Sequence, residues 1–512
     1  MLLVDRFISV CGELPDNVAV VQGDEQWTYR ELGDLCAKVA CFLLDNRISR
    51  NDRVALVLQN SPQYIAVFYG IWLAGGVTVS LNTQAKSRDI ENWVRHSDAK
   101  WLFIDEGHPE LPGLVNLESY GVRIVPVSKS SETATTDSAS DWHTIVQSQS
   151  TFPKTQLLAE NLASIIYTSG TTGHPKGVTL SHGNLAANID SILDYLAITS
   201  SDSIVNVLPF YYSYGNSILH THIATGARLV LENSLLFPHR VVERIATERV
   251  TGFSGVPSTF TLILGRVNLN DYDLTSLRYV TQAGGPMAPV LIDKLTQAVP
   301  DADFFVMYGQ TEATARLTYL EPEKLVAKRG SIGKAIPGVN IEILDKNLEP
   351  VAPGETGEIC ASGPNIMQGY WKDPEKSQAV IKSGWLHTGD LAHYDRDGYI
   401  YIDGRSSDMI KTGGNRISPK EVEEVIQELS GVLEVAVVGI PDEILGETIR
   451  AYVVPNPNSD LEKKAVQFHC KNKLANYKVP KSIVFVEALP KTASGKIQRF
   501  LLQNKDDSSH VD

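Results

Sequence analysis

Residues 167–182 combine hydroxyl-bearing side chains, glycines and a lysine in one short stretch of the chain. Apolar runs typical of strands lie on both sides of it, at residues 163–166 and 178–180. A loop between two strands can direct several backbone N–H groups and hydroxyls at one point, where phosphate is the common ligand. Lys176 adds a mobile positive charge. Three glycines allow the backbone to approach a ligand closely: Gly170, Gly173 and Gly177.

This loop differs from the common phosphate-binding loop, in which G-x-x-x-x-G-K-[ST] leads into a helix. Here Lys176 follows Pro175, and a second strand is predicted after it. A loop rich in glycine, serine and threonine is also typical of a flexible linker. The flanking strands and the lysine favour a binding site, and the loop alone predicts only that it can bind polyphosphate.

Six further motifs place polar, charged or glycine residues at the ends of predicted strands or in turns. The stretch 307–312 follows an apolar strand, and 489–496 brings a lysine to a glycine turn near the C-terminus. Because strand ends and turns are where scaffolds present functional groups, these motifs are candidates for one composite site. The motifs are residues 255–258, 282–287, 307–312, 386–390, 404–411 and 489–496.

Length and composition predict a large globular protein with more than one domain. The chain has 512 residues, of which 43% are hydrophobic and 21% charged. Its net charge of −14 argues against a broad nucleic-acid surface, which would need a positive field. The five cysteines form no CxxC pair and predict a reducing, cytoplasmic location. No signal peptide is expected, and the apolar run 65–77 is too short to span a bilayer.

The order of predicted elements indicates an α/β fold. Thr28 and Glu31 are expected to form a capping box at the start of a helix, after which strands and helices alternate. Beyond about residue 335 short strands and turns predominate, which predicts a β-rich subdomain resembling a distorted barrel. Helices and strands return from residue 418. We therefore predict a large domain over residues 1–404 and a small α+β domain over residues 405–512.

Taken together and in order, the motifs resemble those of the adenylate-forming superfamily of acyl-CoA synthetases, luciferases and peptide-synthetase adenylation domains. The resemblance extends from Trp27 to Lys496. It implies a large N-terminal domain of α/β sheets with a distorted β-barrel, and a small mobile C-terminal domain. It also implies a two-step reaction, in which a carboxylate and ATP give an acyl-adenylate and pyrophosphate, and a thiol then displaces AMP. ATP, Mg²⁺ and a thiol of CoA or phosphopantetheine are the cofactors and co-substrates it implies.

The resemblance assigns roles around ATP residue by residue. Lys496 is expected to carry the adenylation step, Glu312 to bind magnesium and Thr311 to contact the α-phosphate. Taken singly, each could instead be an ordinary surface or turn residue. The β- and γ-phosphates are assigned to Thr168, Ser169, Gly170, Thr171, Thr172 and Lys176. The adenosine part is assigned to Tyr308, against the adenine, with Gly309, Gln310, Asp390 on the ribose and Arg405.

The second step implies that the small domain changes its position, so that Lys496 leaves and the thiol enters. The hinge residue of the superfamily falls on Ser407 here, where many relatives have Asp or Lys. A serine can absorb the backbone rotation, but a charge contact at the hinge is lost. Lys411, Gly413 and Gly414 are expected to line the channel for the thiol.

The acid is expected to lie against Tyr212, Ser213, Ala283, Gly284 and Gly285. Relatives that activate amino acids place an Asp where this chain has Ser213, and no acidic residue occurs between Ile204 and Val230. A buried ammonium without a carboxylate is costly, so we expect a plain carboxylic acid, fatty or related. Two alternatives stay open: an amino or β-amino acid loaded onto a carrier protein in trans, and a non-catalytic nucleotide-binding protein.

Overall fold

We analysed a computed structural model of the chain. It describes residues 1–128, 141–149, 151–168, 176–405, 408–412, 415–442, 445–457, 459–492 and 496–503. The sequence also predicts an exposed polar loop over residues 128–140 and a disordered polar tail over residues 503–512, and these segments lie almost entirely outside the described ranges. Within them, none of the helices combines the length and the apolar character needed to cross a bilayer.

The strands alternate with helices in the first half of the chain and follow one another closely in the second half. The described strands are β1 Val18–Gln22, β2 Glu25–Thr28, β3 Arg53–Val57, β4 Val77–Ser80, β5 Ala99–Asp105, β6 Arg123–Val127, β7 Leu162–Thr168, β8 Lys176–Ser181, β9 Ser203–Asn206, β10 Arg228–Leu231, β11 Gly252–Gly255, β12 Tyr279–Gln282, β13 Asp303–Tyr308, β14 Thr318–Leu320, β15 Lys334–Ala335, β16 Asn340–Leu344, β17 Gly357–Ser362, β18 Gly369–Tyr370, β19 Ile381–Lys382, β20 Trp385–Tyr394, β21 Ile400–Arg405, β22 Ile410–Thr412, β23 Asn415–Ile417, β24 Val432–Asp442, β25 Gly446–Pro455 and β26 Ser482–Phe485.

Most helices lie in the first 300 residues, where they cover the faces of the sheets. The described helices are α1 Leu3–Glu13, α2 Tyr29–Asp45, α3 Pro62–Leu73, α4 Ser87–His96, α5 Asn116–Ser119, α6 Asp141–Gln147, α7 His182–Leu196, α8 Ser213–Thr225, α9 Pro238–Thr247, α10 Pro257–Arg266, α11 Pro289–Ala298, α12 Pro374–Val380, α13 Pro419–Gln427, α14 Lys463–Lys473 and α15 Arg499–Gln503.

Two large, mostly parallel sheets form the body of the protein. The first has the strand order β15-β14-β13-β12-β11-β9-β10-β1-β2, and the second β18-β8-β7-β4-β3-β5-β6. Residues of both sheets belong to one hydrophobic core. Helix α3 lies in that core with all twelve residues buried, as expected of a helix that is apolar on every side.

Two smaller sheets account for the rest of the described chain. The strands β16, β17, β20, β19 and β21 form an antiparallel sheet, which is the predicted β-rich subdomain. The last sheet joins β22 to β26 and packs with α13 and α14 around its own core. The mixed α/β fold with a large N-terminal and a small C-terminal part is confirmed, while the boundary at residues 404 and 405 stays a prediction.

Local signals in the sequence correspond closely to the helix and strand ends. Thr28 accepts from the backbone N–H of Glu31, whose side chain accepts from the backbone of Thr28, so the predicted capping box is present. The apolar residues before Gly75 also predict a helix over residues 61–74, and this helix is α3, Pro62–Leu73. β7 and β8 pair in antiparallel register with Thr168 opposite Lys176. These two strands therefore bring both ends of the predicted phosphate loop together.

Candidate active site

Asp390 is the centre of a polar cluster built from two different sheets. It lies on β20 directly opposite Arg405 of β21, and only 5% of it is exposed. The Arg405 Nε–H donates to Asp390 Oδ1 at 2.9 Å, and the Tyr308 hydroxyl donates to Asp390 Oδ2 at 2.7 Å. Because Tyr308 ends β13 of the first large sheet, this carboxylate joins that sheet to the antiparallel one.

The electrostatics of this cluster keep each partner in its donor form. Burial, and then the Asp390 charge, raise the pKa of Tyr308 well above its ordinary value, so its hydroxyl stays protonated. The Asp390 charge raises the pKa of Arg405. An ionised carboxylate has about four acceptor positions, and these two bonds use one on each oxygen. Asp390 can therefore still accept from two vicinal hydroxyls of a ligand such as a ribose.

Glu312 lies on a short helical turn, Thr311–Ala313, that follows β13. Its Oε1 accepts from the hydroxyl of Tyr370 at 2.8 Å. Burial, followed by the Glu312 charge, raises the pKa of Tyr370. The Lys176 ammonium lies 5.1 Å from the centre of the Tyr370 ring. Glu312 is thereby directed toward the start of β8, where the predicted phosphate loop ends.

Lys496 comes from the C-terminal part of the chain but lies within electrostatic reach of this cluster. Its pKa is lowered first by burial of the ammonium and then by Arg405, while Asp390 and Glu312 act in the opposite direction. The residue as a whole remains exposed, so its side chain is accessible to water as well as to these charges. The structure thus brings Lys496 together with Glu312, Asp390 and Arg405.

Of the residues predicted to contact the acid, Ser213 lies next to the turn that carries Thr311. The Ser213 hydroxyl, at the first residue of α8, is 3.3 Å from the Thr311 hydroxyl. The Tyr212 ring packs 4.5 Å from that of Tyr211. Ala283 is buried directly after β12. The two glycines of the predicted pocket floor follow it, Gly284 with φ of +89° and Gly285, whose carbonyl accepts from Gln282.

Gly309 and Gln310 contribute to the conformation of the turn that carries Glu312. A Cβ on Gly309 would lie 2.1 Å from the carbonyl oxygen of Ala315, so a side chain there would collide with the backbone. The Gln310 carbonyl accepts from the backbone N–H of Ala313 and closes the turn. Glycine at this position lets the chain fold back tightly behind Glu312.

Some predicted site residues are not brought to the cluster, and others lie beyond the described ranges. Lys411 is exposed on β22, and its backbone N–H donates to the Glu447 carboxylate; its role in a thioester state stays a prediction. The residues outside the described ranges are Ser169, Gly170, Thr171, Thr172, Ser407, Gly413 and Gly414.

Two residues of the site were not identified from the sequence. Tyr370 holds Glu312, yet it lies in a two-residue strand without a distinctive pattern. Arg316 is only 3% exposed and lies close behind the Glu312 turn. A signal for Arg316 does exist in the sequence, because it is the only charged residue between Glu312 and Glu321.

Comparison with known families agrees with this geometry. The family described as AMP-binding enzyme matches residues 8–371, and the family described as AMP-binding enzyme C-terminal domain matches residues 421–496. The chain therefore belongs to the AMP-binding enzymes. This confirms the resemblance to the adenylate-forming superfamily and the prediction of an AMP-forming acid–thiol ligase.

Individual relatives match over almost their whole length. A feruloyl-CoA synthase of Amycolatopsis sp is 34% identical over 486 residues, which cover 94% of each chain. A long-chain-fatty-acid–CoA ligase of Bacillus subtilis is 30% identical over 529 residues, covering 98% of this chain and 94% of that one. The solved o-succinylbenzoate CoA synthetase of Bacillus subtilis, in complex with ATP and magnesium ion, superimposes with a TM-score of 0.85 at 27% identity, covering 98% of this chain and 99% of that one.

Proposed function

We propose that this protein activates a carboxylic acid with ATP and transfers the acyl group to the thiol of CoA. The observation that carries the proposal is that Lys496, from the C-terminal part of the chain, lies within electrostatic reach of Glu312 and of the Asp390–Arg405 pair. The names of the relatives support acid activation for CoA and name acids as different as ferulate and long-chain fatty acids. They therefore do not single out the fatty acid that the sequence predicted.

In the first step, an oxygen of the acid attacks the α-phosphorus of ATP, the bond from that phosphorus to the bridging oxygen breaks, and pyrophosphate leaves. Both reactants are anions, so the site has to offset their repulsion. The Lys496 ammonium supplies positive charge on the side of the small domain, and Lys176 supplies it beside the phosphate loop. Asp390 holds the ribose and fixes the nucleotide, while Thr311 positions the α-phosphate beside Ser213.

The donor set around Glu312 fits a magnesium ion. Magnesium prefers hard oxygen ligands and usually combines one or two carboxylates with phosphate oxygens and water. One oxygen of Glu312 accepts from Tyr370, and within the described part of the chain no cation forms an ion pair with this carboxylate. Glu312 would therefore hold the ion, which when bound neutralises charge on the phosphates.

In the second step, the thiol loses its proton to water, its sulfur attacks the carbonyl carbon, the bond from that carbon to the AMP oxygen breaks, and AMP leaves. CoA is the thiol that the relatives' names support. A carrier-protein phosphopantetheine has the same reactive group and is the second acceptor to test. The predicted cytoplasmic location also belongs to this proposal, since all five cysteines, each in a described segment, are free.

The test measures pyrophosphate release with ATP, with and without CoA, over fatty, aryl and amino acids. The variant Lys496→Ala should lose adenylation by about 100-fold or more, as expected when one preorganised charge is removed from the reacting phosphate. Thioester formation from a supplied acyl-adenylate should change little, because the lysine is needed only in the first step.

Lys464→Ala is the matched control, since Lys464 is an exposed lysine of the same small domain on α14. It should leave both half-reactions unchanged. Activity confined to amino acids would refute the proposed acid class, and unchanged adenylation in Lys496→Ala would refute the role of that lysine.

A further inference from the structure

The pairing of β17 with β20 is interrupted at the point where β20 reaches Asp390. Glu358 lies opposite Leu391, and Cys360 lies opposite His387. The single residue between them on β17 therefore faces three residues of β20, which form a β-bulge. A bulge bends its strand locally and changes the direction of the side chains on it. The direction of the Asp390 side chain consequently depends on how this bulge is held.

The backbone of the bulge has a conformation that needs support from outside the strand. Gly389, which immediately precedes Asp390, has φ of +76°, in the left-handed region that glycine adopts most readily. A bulged strand loses ladder hydrogen bonds where its extra residues lie. A backbone N–H without a partner costs free energy when water does not reach it. The N–H groups of the bulge therefore require other acceptors.

Side chains supply these acceptors. The N–H of Gly389 donates to Glu358 Oε1 at 2.9 Å, and the N–H of Asp390 donates to the Thr388 hydroxyl oxygen at 3.2 Å. The same hydroxyl donates to the carbonyl of Ile359 at 2.8 Å. Hydrogen bonds to an ionised group are roughly twice as strong as neutral ones. The carboxylate of Glu358 is therefore the stronger of the two anchors of the bulge.

Glu358 is itself held in place by His387. Glu358 Oε2 lies 3.0 Å from His387 Nδ1, and the Cys360 sulfur lies 3.4 Å from the same nitrogen. Burial, followed by the Glu358 charge, raises the pKa of Cys360 to about 12, so this thiol is neutral. Because an ionised carboxylate only accepts hydrogen bonds, the ring nitrogen carries the proton and donates to Glu358. The buried imidazole thus fixes the direction of the carboxylate.

We propose that Glu358 is a positioning residue for the ribose of the nucleotide and acts through the bulge that carries Asp390. Its carboxylate holds the backbone of Gly389, and the next residue presents its two oxygens to Tyr308, Arg405 and the ribose hydroxyls. Without this anchor the bulge relaxes, and Asp390 no longer meets the hydroxyls at a favourable angle. The inference goes beyond the proposed function and rests on it for the assignment of the ribose to Asp390.

The experiment measures, by isothermal titration calorimetry, the Kd of magnesium-ATP and of 2′-deoxy-ATP, which lacks one ribose hydroxyl. The wild-type protein should bind ATP about 10-fold or more tightly, because a hydrogen bond to a charged group discriminates by that order. Glu358→Ala should weaken the binding of ATP more than that of 2′-deoxy-ATP. The ratio of the two Kd values should fall about threefold or more, since hydrogen bonds weaken steeply when they are misaligned.

Three further variants separate the reach of the side chain from its charge. Glu358→Asp keeps the charge but withdraws the carboxylate from Gly389 by one methylene group, so it should lose the preference for ATP. It also decides the test if the alanine variant does not fold. Glu358→Gln keeps the length and one oxygen acceptor, so it should retain most of the preference. Glu349→Ala changes an exposed glutamate between β16 and β17 of the same sheet and should leave the ratio unchanged.

An unchanged ratio in Glu358→Ala and Glu358→Asp would overturn the inference. Equal weakening of both nucleotides would also overturn it, since that is the result of a purely structural role. Equal affinity of the wild-type protein for the two nucleotides would contradict the ribose assignment of Asp390 and this inference with it. Nucleotide binding needs neither acid nor thiol, so a failure to release pyrophosphate with every acid would contradict the proposed function alone.

Discussion

At the scale of single residues, the site consists of carboxylates held by aromatic hydroxyls. Tyr308 donates to Asp390, and Tyr370 donates to Glu312. In both pairs, burial raises the pKa of the tyrosine, so the hydroxyl remains a donor at any ordinary pH. A tyrosine can orient a carboxylate without neutralising its charge, whereas an arginine or lysine partner would neutralise it. The negative charge of Glu312 thus remains available for a cation.

Tyr370→Phe tests this orienting role at the residue scale. The variant keeps the ring near Lys176 and removes only the hydroxyl that donates to Glu312. A hydrogen bond to a charged group contributes about 1.5–3 kcal/mol, so KM for magnesium-ATP should rise about 10-fold or more at limiting magnesium. Tyr477→Phe, at a half-exposed tyrosine, is the control. An unchanged KM over a magnesium titration would count against the proposed ion site.

At the scale of elements, the end of β13 and the turn after it position three of the residues predicted to contact the nucleotide or magnesium. Tyr308 ends the strand, and the following turn carries Thr311 and Glu312. The chain then reverses tightly enough for Ala315 to approach the Gly309 backbone. Two features make this possible: Gly309 has no Cβ, and the backbone of Thr314 adopts a strained conformation with φ of 66°. The positions of these three side chains therefore all depend on the end of β13 and the turn that follows it.

Gly309→Ala should disrupt this element. The added methyl group would lie 2.1 Å from a backbone oxygen, and forced overpacking costs about 1–3 kcal/mol or more. We expect the melting temperature to fall by several degrees and adenylation to be lost. Gly12→Ala is the matched control, because a Cβ there meets nothing within 4 Å on helix α1. Equal melting temperatures for both variants would show that the close approach of Gly309 to the Ala315 backbone is not needed for stability.

The sequence predicted elements well wherever the signal is local. The run of apolar residues before Gly75 predicts α3, and Thr28 with Glu31 predicts the start of α2, because caps and apolar patterns act over a few residues. It predicted the site residues only through the resemblance, since Tyr308 and Asp390 are 82 residues apart in the chain. The inward position of Arg316 could not be predicted, because nothing in the sequence requires a left-handed backbone at a threonine.

At the scale of the whole molecule, helices α3, α7 and α8 meet around two buried histidines. His220 packs against Trp72 at 5.1 Å, and its Nδ1 shares a hydrogen bond with the Tyr69 hydroxyl. His182 packs against the same tryptophan. Burial lowers the pKa of His220 to about 3 and that of His182 to about 4. Both imidazoles are therefore neutral in the centre of the protein.

These histidines should make the protein sensitive to acid. In the unfolded chain a histidine binds a proton below about pH 6.5, whereas buried His220 does not, so protonation favours unfolding as the pH falls. Between pH 6.5 and pH 5 the contribution of His220 should lower the free energy of unfolding by about 2 kcal/mol. Denaturant unfolding at both pH values should show a smaller loss of stability in His220→Gln than in the wild type.

His239→Gln, at an exposed histidine on α9, should retain the full loss of stability on acidification. The same loss in His220→Gln would show that acid acts elsewhere in the molecule.

The placement of β1 has a consequence for how the protein is made. This strand pairs in parallel with β10, with Val20 opposite Leu229, so its partner is synthesised about 200 residues later. At about 5–20 residues per second, the ribosome reaches β10 roughly 10–40 s after β1 has formed. The apolar strand therefore has no native parallel neighbour during that time. The first large sheet also contains β15, Lys334–Ala335, so it cannot be completed until about two thirds of the 512 residues exist. The growing N-terminal segment is therefore the part most dependent on protection from aggregation.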